Sequence, residues 1–494
     1  MTLLTNLLEY LEHSATLFPD KAAFTDETET VTFAELVGLG REVGAAVHAK
    51  VEQTRLPVAV LTTHKVADVV AFIGTLYAGC FYVPLDGFAP KEHVRARLEA
   101  ISPAMTLDAD CVMQLPRATL SDAALDRIRD GALSSDPAYA IFTSGSTGVP
   151  KAALISHGGV VNLIEWMGET FGFSKRTVFA GQCPFYFDSS VQELYSTLKH
   201  GASTRLFPKK HFISSLKALR AVSETGANVM PWAAAAIKMI ANSGALERYA
   251  PVGVEDVIFG GENMPVAVLE KWQNAMPNAR FTNVYGPTET TVDCSFYTVR
   301  RDLSDDKSVP IGFPCRDTEL LLLSEDGRPA VCGETGEIYV RGAGVGLGYY
   351  NNASRTAESF VQNPLHSNYR DIVYRTGDLA KLNEFGELVF ISRADNQVKH
   401  MGSRVELGEV ESTAASLDGI GLVCCAYDKE NSKILLFYEG AIAENRLAAE
   451  MAARLPRYMQ PNVIIKVGEM PKLPNGKIDR VRVRKECYDG DNKL

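Results

Sequence analysis

Short apolar runs bounded by Gly, Pro or Asp recur along the chain, and helix-like segments separate several of them. The runs include LPVAVLTT, CFYVPLD, AYAIFTSG, VEDVIFGG and ELLLLSEDG. The segments HKVADVVAFIGTLYAG and SVQELYSTLKHG space their apolar residues as helices do. Strands that alternate with helices are typical of a mainly parallel sheet. The pattern therefore predicts an α/β fold.

The pattern changes from about residue 311. Strands become shorter and turns more frequent, as in LSEDGRPA and VRGAGVGLGYYNN, and a smaller α+β pattern follows this region. A chain of 494 residues is also too long for one ordinary core. We expect a large N-terminal domain over 1–392, with a β-rich subdomain over about 311–392, and a small mobile C-terminal domain over 393–494.

Composition and charge exclude several classes of protein. The net charge of -10 argues against general nucleic-acid binding, which usually needs a basic surface. No apolar run approaches the roughly 18–20 residues that span a bilayer. Glu9 and Glu12 lie where a secretory signal would need an uninterrupted apolar core, so we expect a cytoplasmic protein. The nine cysteines lack metal-ligand spacing and indicate reduced, mostly buried thiols.

The stretch FTSGSTGVPK (142–151) follows an apolar strand and is rich in glycine and hydroxyl groups. Glycines let backbone N–H groups approach an anion, and Lys151 adds a positive charge. The alternative is a flexible surface loop. Val149 and Pro150 separate the last glycine from Lys151, so this is not the usual G-K-[ST] phosphate loop. The predicted phosphate-binding residues are Thr143, Ser144, Gly145, Ser146, Thr147 and Gly148.

Three further segments carry candidate chemistry. In NVYGPTETT (283–291), Asn283 can bind a base edge, Tyr285 can stack, and Glu289 offers a hard oxygen to Mg²⁺. In YRTGDLA (374–380), Asp378 can accept two ribose hydroxyl protons. In LPNGKIDR (473–480), a tight Asn-Gly turn presents Lys477. Taken singly, each segment is equally compatible with turn or helix-start chemistry.

In this order and spacing, the four segments resemble those of the adenylate-forming superfamily of acyl-CoA synthetases, luciferases and peptide-synthetase adenylation domains. The resemblance covers nearly the whole chain. FDSSVQE (187–193) and RADNQVKHMGSRVELGEVE (393–411) are most similar to amino-acid-activating domains of nonribosomal peptide synthetases. The resemblance implies that ATP, with Mg²⁺, converts a carboxylate into an acyl-adenylate, and that a phosphopantetheine thiol of a carrier protein then takes the acyl group.

The resemblance also implies residue roles. Lys477, Glu289 and Lys151 match catalytic positions, with Glu289 as the Mg²⁺ ligand and Lys151 in the loop that binds the β- and γ-phosphates. Asn283 and Tyr285 match adenine contacts, and Asp378 and Arg393 match ribose contacts. The remaining matches are Gly286 and Thr288 in the nucleotide segment and Asp395 as the hinge between domains. One departure is Ser392, where the family usually has glycine.

In the amino-acid-activating branch, the position of Asp188 pairs with the substrate ammonium group. Such pairing suits a carboxylate in an apolar setting, whereas the alternative is an Asp that caps the next helix. The other pocket positions carried over are Ser189, Gln192, Ala233, Ile258, Gly260, Val284, Val292 and Asp293. Asp293 needs a hydrogen-bond donor, because an unmatched buried acceptor costs about 1–3 kcal/mol. We expect glutamine as substrate, with arginine or another basic residue, serine, threonine and charge-compensated glutamate as alternatives.

Several other interpretations stay open. The chain is expected to act as a monomer on a carrier protein in trans, either as a free-standing enzyme or as one module excised from a longer one. Rival functions are a D-alanine–carrier protein ligase, an acyl-CoA ligase and a non-catalytic ATP-binding descendant. Asp188 disfavours the acyl-CoA ligase, since a fatty or aryl acid has no ammonium group to pair with it.

Overall fold

The computed structural model describes residues 6–109, 112, 121–143, 150–394, 397–429, 431–472 and 478–488. The chain divides into two compact units. The larger comprises residues 1–87, 101–141 and 152–394, and the smaller comprises residues 88–100, 142–151 and 395–494. The predicted domain boundary after residue 392 stays a prediction. Helices and strands are numbered in chain order.

The largest sheet has nine strands, and those at its centre are parallel. Its strands are β1 (Ala22–Thr25), β2 (Thr30–Thr32), β8 (Val178–Gly181), β9 (Ser203–Leu206), β10 (Val229–Ala233), β11 (Asp256–Gly260), β12 (Arg280–Tyr285), β13 (Ser295–Thr298) and β14 (Phe313–Pro314). Their order in the sheet is β14-β13-β12-β11-β10-β8-β9-β1-β2.

A second sheet has six strands in the order β17-β7-β6-β4-β3-β5. These are β3 (Pro57–Thr62), β4 (Phe81–Asp86), β5 (Met105–Asp108), β6 (Pro137–Thr143), β7 (Lys151–Ser156) and β17 (Gly348–Tyr349). Strand β4 is parallel to both β3 and β6, as expected for strands joined by crossover helices.

Helices follow most of these strands. They are α1 (Leu8–Leu17), α2 (Phe33–Val51), α3 (Val66–Tyr77), α4 (Lys91–Ile101), α5 (Asp122–Asp130), α6 (His157–Phe171), α7 (Ser190–His200), α8 (Ser215–Glu224), α9 (Ala234–Asn242) and α10 (Val266–Ala275). Helix α2 begins with a capping box, in which the Thr32 hydroxyl accepts from the Glu35 N–H and the Glu35 carboxylate accepts from the Thr32 N–H.

One apolar core joins the two sheets. It contains residues of α1, α2, α3, α6 and α7 together with inward-facing residues of β3, β4, β6, β8 and β11. Phe72, Tyr139 and Tyr195 are among its fully buried aromatic side chains. Although α7 carries several polar residues, every residue from Ser190 to Leu198 is buried, so this helix lies inside the core and holds its polar side chains away from solvent.

Antiparallel strands β15 (Thr318–Leu323), β16 (Thr335–Gly342), β18 (Phe360–Gln362), β19 (Ile372–Leu382) and β20 (Leu388–Arg393) form a third sheet. Helix α11 (Ala353–Ser359) and a 3₁₀ helix at Thr288–Thr290 belong to the same part of the chain. Ile338 and Val340 of β16 are buried in its core together with Tyr285 of β12.

The smaller unit contains two sheets, formed by β21 (Gln397–His400) and β22 (Ser403–Glu406), and by β23 (Ile420–Asp428), β24 (Lys433–Gly440) and β25 (Val463–Lys466). Helices α12 (Leu407–Ala415), α13 (Glu444–Arg454) and α14 (Arg480–Cys487) accompany them. Two further 3₁₀ helices lie at Lys209–Ile213 in the larger unit and Arg457–Met459 in the smaller unit.

These elements confirm the predicted α/β class. Each apolar run named above contains a strand, and the two helix-like segments contain α3 and α7. Among the described residues, no helix is long and apolar enough to cross a membrane. The eight cysteines of this part of the chain are free, and six of them are buried.

Candidate active site

The order of the nine-stranded sheet reverses beside β8. The chain passes from β8 to its neighbour β9 on one side and then returns to β10 on the other side. In parallel sheets, such a reversal opens a crevice at the carboxyl ends of the strands, where ligands bind. The segment after β8 contains Asp188 and Ser189, and β10 ends at Ala233. Three predicted substrate-binding residues therefore border this crevice.

Small residues line up across the carboxyl ends of three neighbouring strands. Ala233 of β10 pairs with Gly260 of β11, and Gly260 pairs with Val284 of β12. A Cβ atom on Gly260 would lie 2.5 Å from the Val284 carbonyl oxygen, so only glycine fits there. Ile258 precedes Gly260 by two residues and shares its face of the sheet.

A buried polar pair lies near the carboxyl end of β12, where the Cys294 N–H donates to the Tyr285 carbonyl at 2.8 Å. Gln192 of α7 donates a hydrogen bond from Nε2 to Asp293 Oδ2 at 2.6 Å, and both residues are less than a tenth exposed. Burial raises the pKa of Asp293 to about 8, the charge of Asp188 adds to the rise, and the hydrogen bond from Gln192 opposes it. Asp293 is therefore mostly neutral at pH 7.

A strained turn sets the position of Asp293. Thr291 and Val292 have φ angles of 58° and 69°, although both are β-branched, and the Asp293 N–H donates to the Thr291 carbonyl at 2.9 Å. Such a three-residue turn with positive φ is rare and strained. Gly286 permits it, since a Cβ there would lie 2.2 Å from the Val292 oxygen. Strain of this kind is common at functional sites.

Asp188 and Ser189 precede α7. Ser189 is the N-cap residue of the helix, but its side chain makes no capping hydrogen bond, and its hydroxyl instead accepts from the Cys183 thiol at 3.3 Å. Asp188 is half-buried and close enough to Asp293 to raise its pKa. We call Asp188, Gln192, Ala233, Gly260, Val284 and Asp293 the Asp293 pocket.

The predicted nucleotide contacts lie on the opposite face of β12. Asn283 and Tyr285 alternate with Val284, so their side chains leave the strand on the other side. Asn283 is buried and donates from Nδ2 to the Pro310 carbonyl at 2.8 Å. One strand thus carries a wall of the Asp293 pocket on one face and two predicted nucleotide residues on the other.

Tyr285 belongs to a closed hydrogen-bonded group. Its hydroxyl donates to Asp378 Oδ2 at 2.6 Å, and Arg393 donates from Nη1 to Asp378 Oδ1 at 2.5 Å and from Nη2 to the Thr376 carbonyl at 3.0 Å. Burial, followed by the charge of Asp378, raises the pKa of Tyr285 well above its usual value. We call Tyr285, Thr376, Asp378 and Arg393 the Asp378 cluster.

Glu289 lies in the 3₁₀ helix after β12 and is fully buried. Its Oε1 accepts a hydrogen bond from the Tyr349 hydroxyl at 2.7 Å. The described residues contain no group of three or more side chains that could hold a metal ion. A single carboxylate nevertheless fits Mg²⁺, which is commonly bound by one or two protein carboxylates together with substrate phosphates. Gly286 and Thr288 lie in the same short connection.

Several predicted residues lie outside the described residues: Ser144, Gly145, Ser146, Thr147, Gly148, Asp395 and Lys477. Thr143 ends β6 and Lys151 begins β7, and both are buried. The residues that flank Lys477 are anchored within the smaller unit. Lys472 and Ile478 form an antiparallel bridge, and Arg480 donates from Nη2 to Glu411 Oε2 at 2.8 Å and from Nη1 to the Cys425 carbonyl at 2.9 Å.

Sequence reasoning missed four features of these sites. They are the strained turn, the Tyr349 donor to Glu289, the buried hydroxyl of Tyr139 and the buried carboxyl of Glu193. Tyr139 lies in an apolar strand and looks like an ordinary core residue. Glu193 lies in a helix that also contains Ser, Gln, Thr, Lys and His residues, so nothing in the sequence distinguishes it from an exposed helix residue.

The AMP-binding enzyme family matches residues 11–350 of this chain. Tyrocidine synthase 1 from Brevibacillus parabrevis is 29% identical over 490 residues, which are 96% of this chain and 44% of that protein. The chain thus spans less than half the length of this curated relative. The structure of PA1221, an NRPS protein containing adenylation and PCP domains, is similar with a TM-score of 0.82 and 25% identity over 98% of this chain and 97% of that one. The fold of o-succinylbenzoate CoA synthetase from Bacillus subtilis is also similar, with a TM-score of 0.80 and 20% identity over 97% and 98% of the two chains.

Proposed function

This chain belongs to the AMP-binding enzyme family, and from that premise we propose that it activates an amino acid as an aminoacyl-adenylate and passes it to the phosphopantetheine thiol of a carrier protein. The observation that carries the proposal is the acidic Asp188 beside a polar pocket at the crevice of the parallel sheet. A half-buried carboxylate there suits a substrate ammonium group, since opposite charges attract more strongly where water is partly excluded.

The first half-reaction forms a bond between a substrate carboxylate oxygen and the α-phosphorus of ATP and breaks the bond to pyrophosphate. Negative charge builds up on the phosphoryl oxygens, so cations directed at them lower the barrier. We assign this role to Lys477, while Lys151 and the hydroxyls near it hold the leaving pyrophosphate. Glu289 would hold Mg²⁺, which stabilises charge on the phosphates when bound.

The Asp378 cluster suits ribose binding. Asp378 is fixed by two donors, and a carboxylate oxygen has further lone pairs for ribose hydroxyls. In the second half-reaction, the thiol sulfur attacks the aminoacyl carbonyl carbon and AMP leaves with the bonding electrons. We propose that this thiol belongs to a carrier protein in trans and that Asp395 is the hinge between the two half-reactions.

The Asp293 pocket favours a neutral polar substrate side chain. Gln192 fills part of the space and already donates to Asp293, and a largely neutral Asp293 gives a basic side chain little charge to pair with. We therefore propose glutamine as substrate. Arginine, another basic residue, serine and threonine are weaker candidates. A D-alanine–carrier protein ligase has less need of two buried polar side chains, and an acyl-CoA ligase has no use for Asp188.

The experiment is ATP–pyrophosphate exchange with all common amino acids and their D-forms, on the wild type and on Lys477→Ala. We expect exchange with a polar amino acid, and a loss of at least about 100-fold in Lys477→Ala with ATP binding retained, because only transition-state charge loses its partner. Lys472→Ala, which removes an exposed lysine five residues earlier, is the matched control and should keep full exchange.

Two outcomes contradict the proposal. Full exchange in Lys477→Ala would remove the assigned role of that lysine. If no amino acid supports exchange, whereas carboxylic acids without an amino group form CoA thioesters, the chain is an acyl-CoA ligase.

A further inference from the structure

The hydroxyl of Tyr139 is a buried polar group that the proposed function does not use. Tyr139 lies on β6 and is fully buried, and its hydroxyl has no hydrogen-bond partner among the described residues. Buried polar groups in native proteins are nearly always hydrogen-bonded, so an exception needs an explanation. A ligand that completes the hydrogen bond is one such explanation.

The neighbouring tyrosines do not share this feature. Tyr82 of β4 is the direct strand partner of Tyr139, and their ring centroids are 5.7 Å apart. The Tyr82 hydroxyl lies 3.0 Å from the hydroxyl of Tyr195 on α7, so these two groups satisfy each other. Two tyrosines in the same row of the same sheet therefore differ in whether their hydroxyl has a partner.

The unpartnered hydroxyl lies beside the Asp293 pocket. Tyr195 is three residues after Gln192 on α7, so the two side chains share one face of the helix. Burial, and then the charges of Asp188, Tyr195 and Asp293, raise the pKa of Tyr139 well above its usual value. The hydroxyl is thus protonated at neutral pH, close to both pocket carboxyl groups, and available to donate.

We propose that Tyr139 is a substrate-binding residue whose hydroxyl donates a hydrogen bond to an acceptor atom on the side chain of the bound amino acid. This inference rests on the proposed function and narrows its substrate class. The side chain must accept from Tyr139 and also form a hydrogen bond with the carboxyl group of Asp293, whose Oδ2 already accepts from Gln192 and which, when neutral, can both donate and accept.

A carboxamide meets both requirements, because it has one carbonyl acceptor and two N–H donors. A guanidinium or ammonium group has donors only and leaves Tyr139 unmatched. A hydroxyl group can also do both, but it has one O–H donor where a carboxamide has two N–H donors. The inferred substrate is therefore an amino acid with a side-chain carboxamide, which favours glutamine over arginine.

The test is a cycle of two enzymes and two substrates in ATP–pyrophosphate exchange. Tyr139→Phe and wild type are compared on glutamine and on methionine, which has similar length but no carboxamide. We expect kcat/KM for glutamine to fall about 3- to 10-fold through a higher KM, as for the loss of one neutral hydrogen bond, whereas methionine changes less than about twofold. The KM for ATP should not change.

Tyr82→Phe is the matched control, because it removes the hydroxyl of the strand partner and should leave the glutamine-to-methionine ratio unchanged. Thermal unfolding of each variant checks that it is folded. If Tyr139→Phe does not fold, the wild-type ratio decides: preference for methionine over glutamine overturns the inference, and at least tenfold preference for glutamine supports it.

Failure of the inference and failure of the proposed function are distinguishable. Equal changes for the two substrates in Tyr139→Phe, or a preferred amino acid without a side-chain acceptor, overturn the inference while adenylation stands. Absence of exchange with every amino acid overturns the proposed function, and the inference falls with it.

Discussion

The Asp378 cluster and the Asp293 pocket both bury a carboxyl group, but the two carboxyl groups differ in how many hydrogen-bond donors hold them. In the Asp378 cluster, Asp378 accepts from Tyr285 and Arg393, and Arg393 also reaches a backbone carbonyl. In the Asp293 pocket, one oxygen of Asp293 accepts from Gln192, while Asp188 raises its pKa. Two side-chain donors, one of them a cation, thus hold the Asp378 carboxylate before any ligand binds, whereas one neutral donor holds Asp293.

Under the proposed function, this difference follows from what each region has to recognise: ribose in the Asp378 cluster and an amino acid in the Asp293 pocket. Every adenylate-forming reaction uses the same ribose and base, so a fixed arrangement serves, and closed polar networks are rigid. A pocket that selects one amino acid must keep specific polar groups free for it, because selectivity comes from groups that the wrong substrate leaves unpaired. The second region therefore gives up stability that the first retains.

The largest expected effect is in the Asp378 cluster. Asp378→Ala leaves the buried Arg393 guanidinium and Tyr285 hydroxyl without their acceptor, so we expect a loss of about 3–5 kcal/mol in the free energy of unfolding. Arg375→Ala is the control. Arg375 lies on β19, as Asp378 does, but it is half exposed, so breaking its ion pair with Glu337 of β16 should cost less than about 1 kcal/mol. Denaturant unfolding measures both. Equal losses in the two variants would mean that the Asp378 cluster contributes no more to stability than a surface ion pair does.

The contrast shows what could be predicted from the sequence. Apolar runs bounded by Gly, Pro or Asp predicted β3, β4, β6, β11 and β15, because strand and turn preferences are local. The row of Ala233, Gly260 and Val284 follows once parallel strands are in register. The Gln192–Asp293 hydrogen bond was out of reach, because it joins residues 101 positions apart. The strained turn was equally hidden, since nothing local favours positive φ at Thr291 and Val292.

The next effect has the opposite sign and lies in the Asp293 pocket. Folding raises the pKa of Asp293 from 3.8 to about 8, so between these pH values the folded protein binds a proton that the unfolded chain does not. Stability therefore falls as pH rises through this window. Asp293→Asn keeps an acceptor for Gln192 and removes the titration.

We expect Asp293→Asn to be more stable than wild type by about 3 kcal/mol at pH 6, roughly two pH units above the unfolded pKa, and by progressively less as pH falls toward 4, since each pKa unit corresponds to about 1.4 kcal/mol. Thermal unfolding across this pH range measures the difference. Asp305→Asn, in an exposed loop, controls for the change in net charge. A constant difference at all pH values would show that the titration of Asp293 does not contribute.

The smallest expected effect concerns Glu193, a buried residue of α7 beside the Asp293 pocket. Glu193 is fully buried next to Gln192, and neither of its carboxyl oxygens has a hydrogen-bond partner among the described residues. Burial raises the pKa of Glu193 well above its usual value and so favours the neutral form of this carboxyl group. Glutamine is a neutral residue of the same shape, and we expect Glu193→Gln to change stability by less than about 0.5 kcal/mol.

Glu387→Gln is the matched control for this change. Glu387 is also buried, but its Oε2 accepts from Arg301 Nη2 at 2.7 Å, so its replacement breaks an ion pair and should cost more than about 1.5 kcal/mol. Thermal unfolding at pH 7 compares the two variants. If Glu193→Gln lowers the free energy of unfolding as much as Glu387→Gln does, Glu193 is ionised and paired. The polar groups beside the Asp293 pocket would then be as fully hydrogen-bonded as those of the Asp378 cluster. A negligible cost means instead that α7 carries a neutral acid into the core, as the lack of partners indicates.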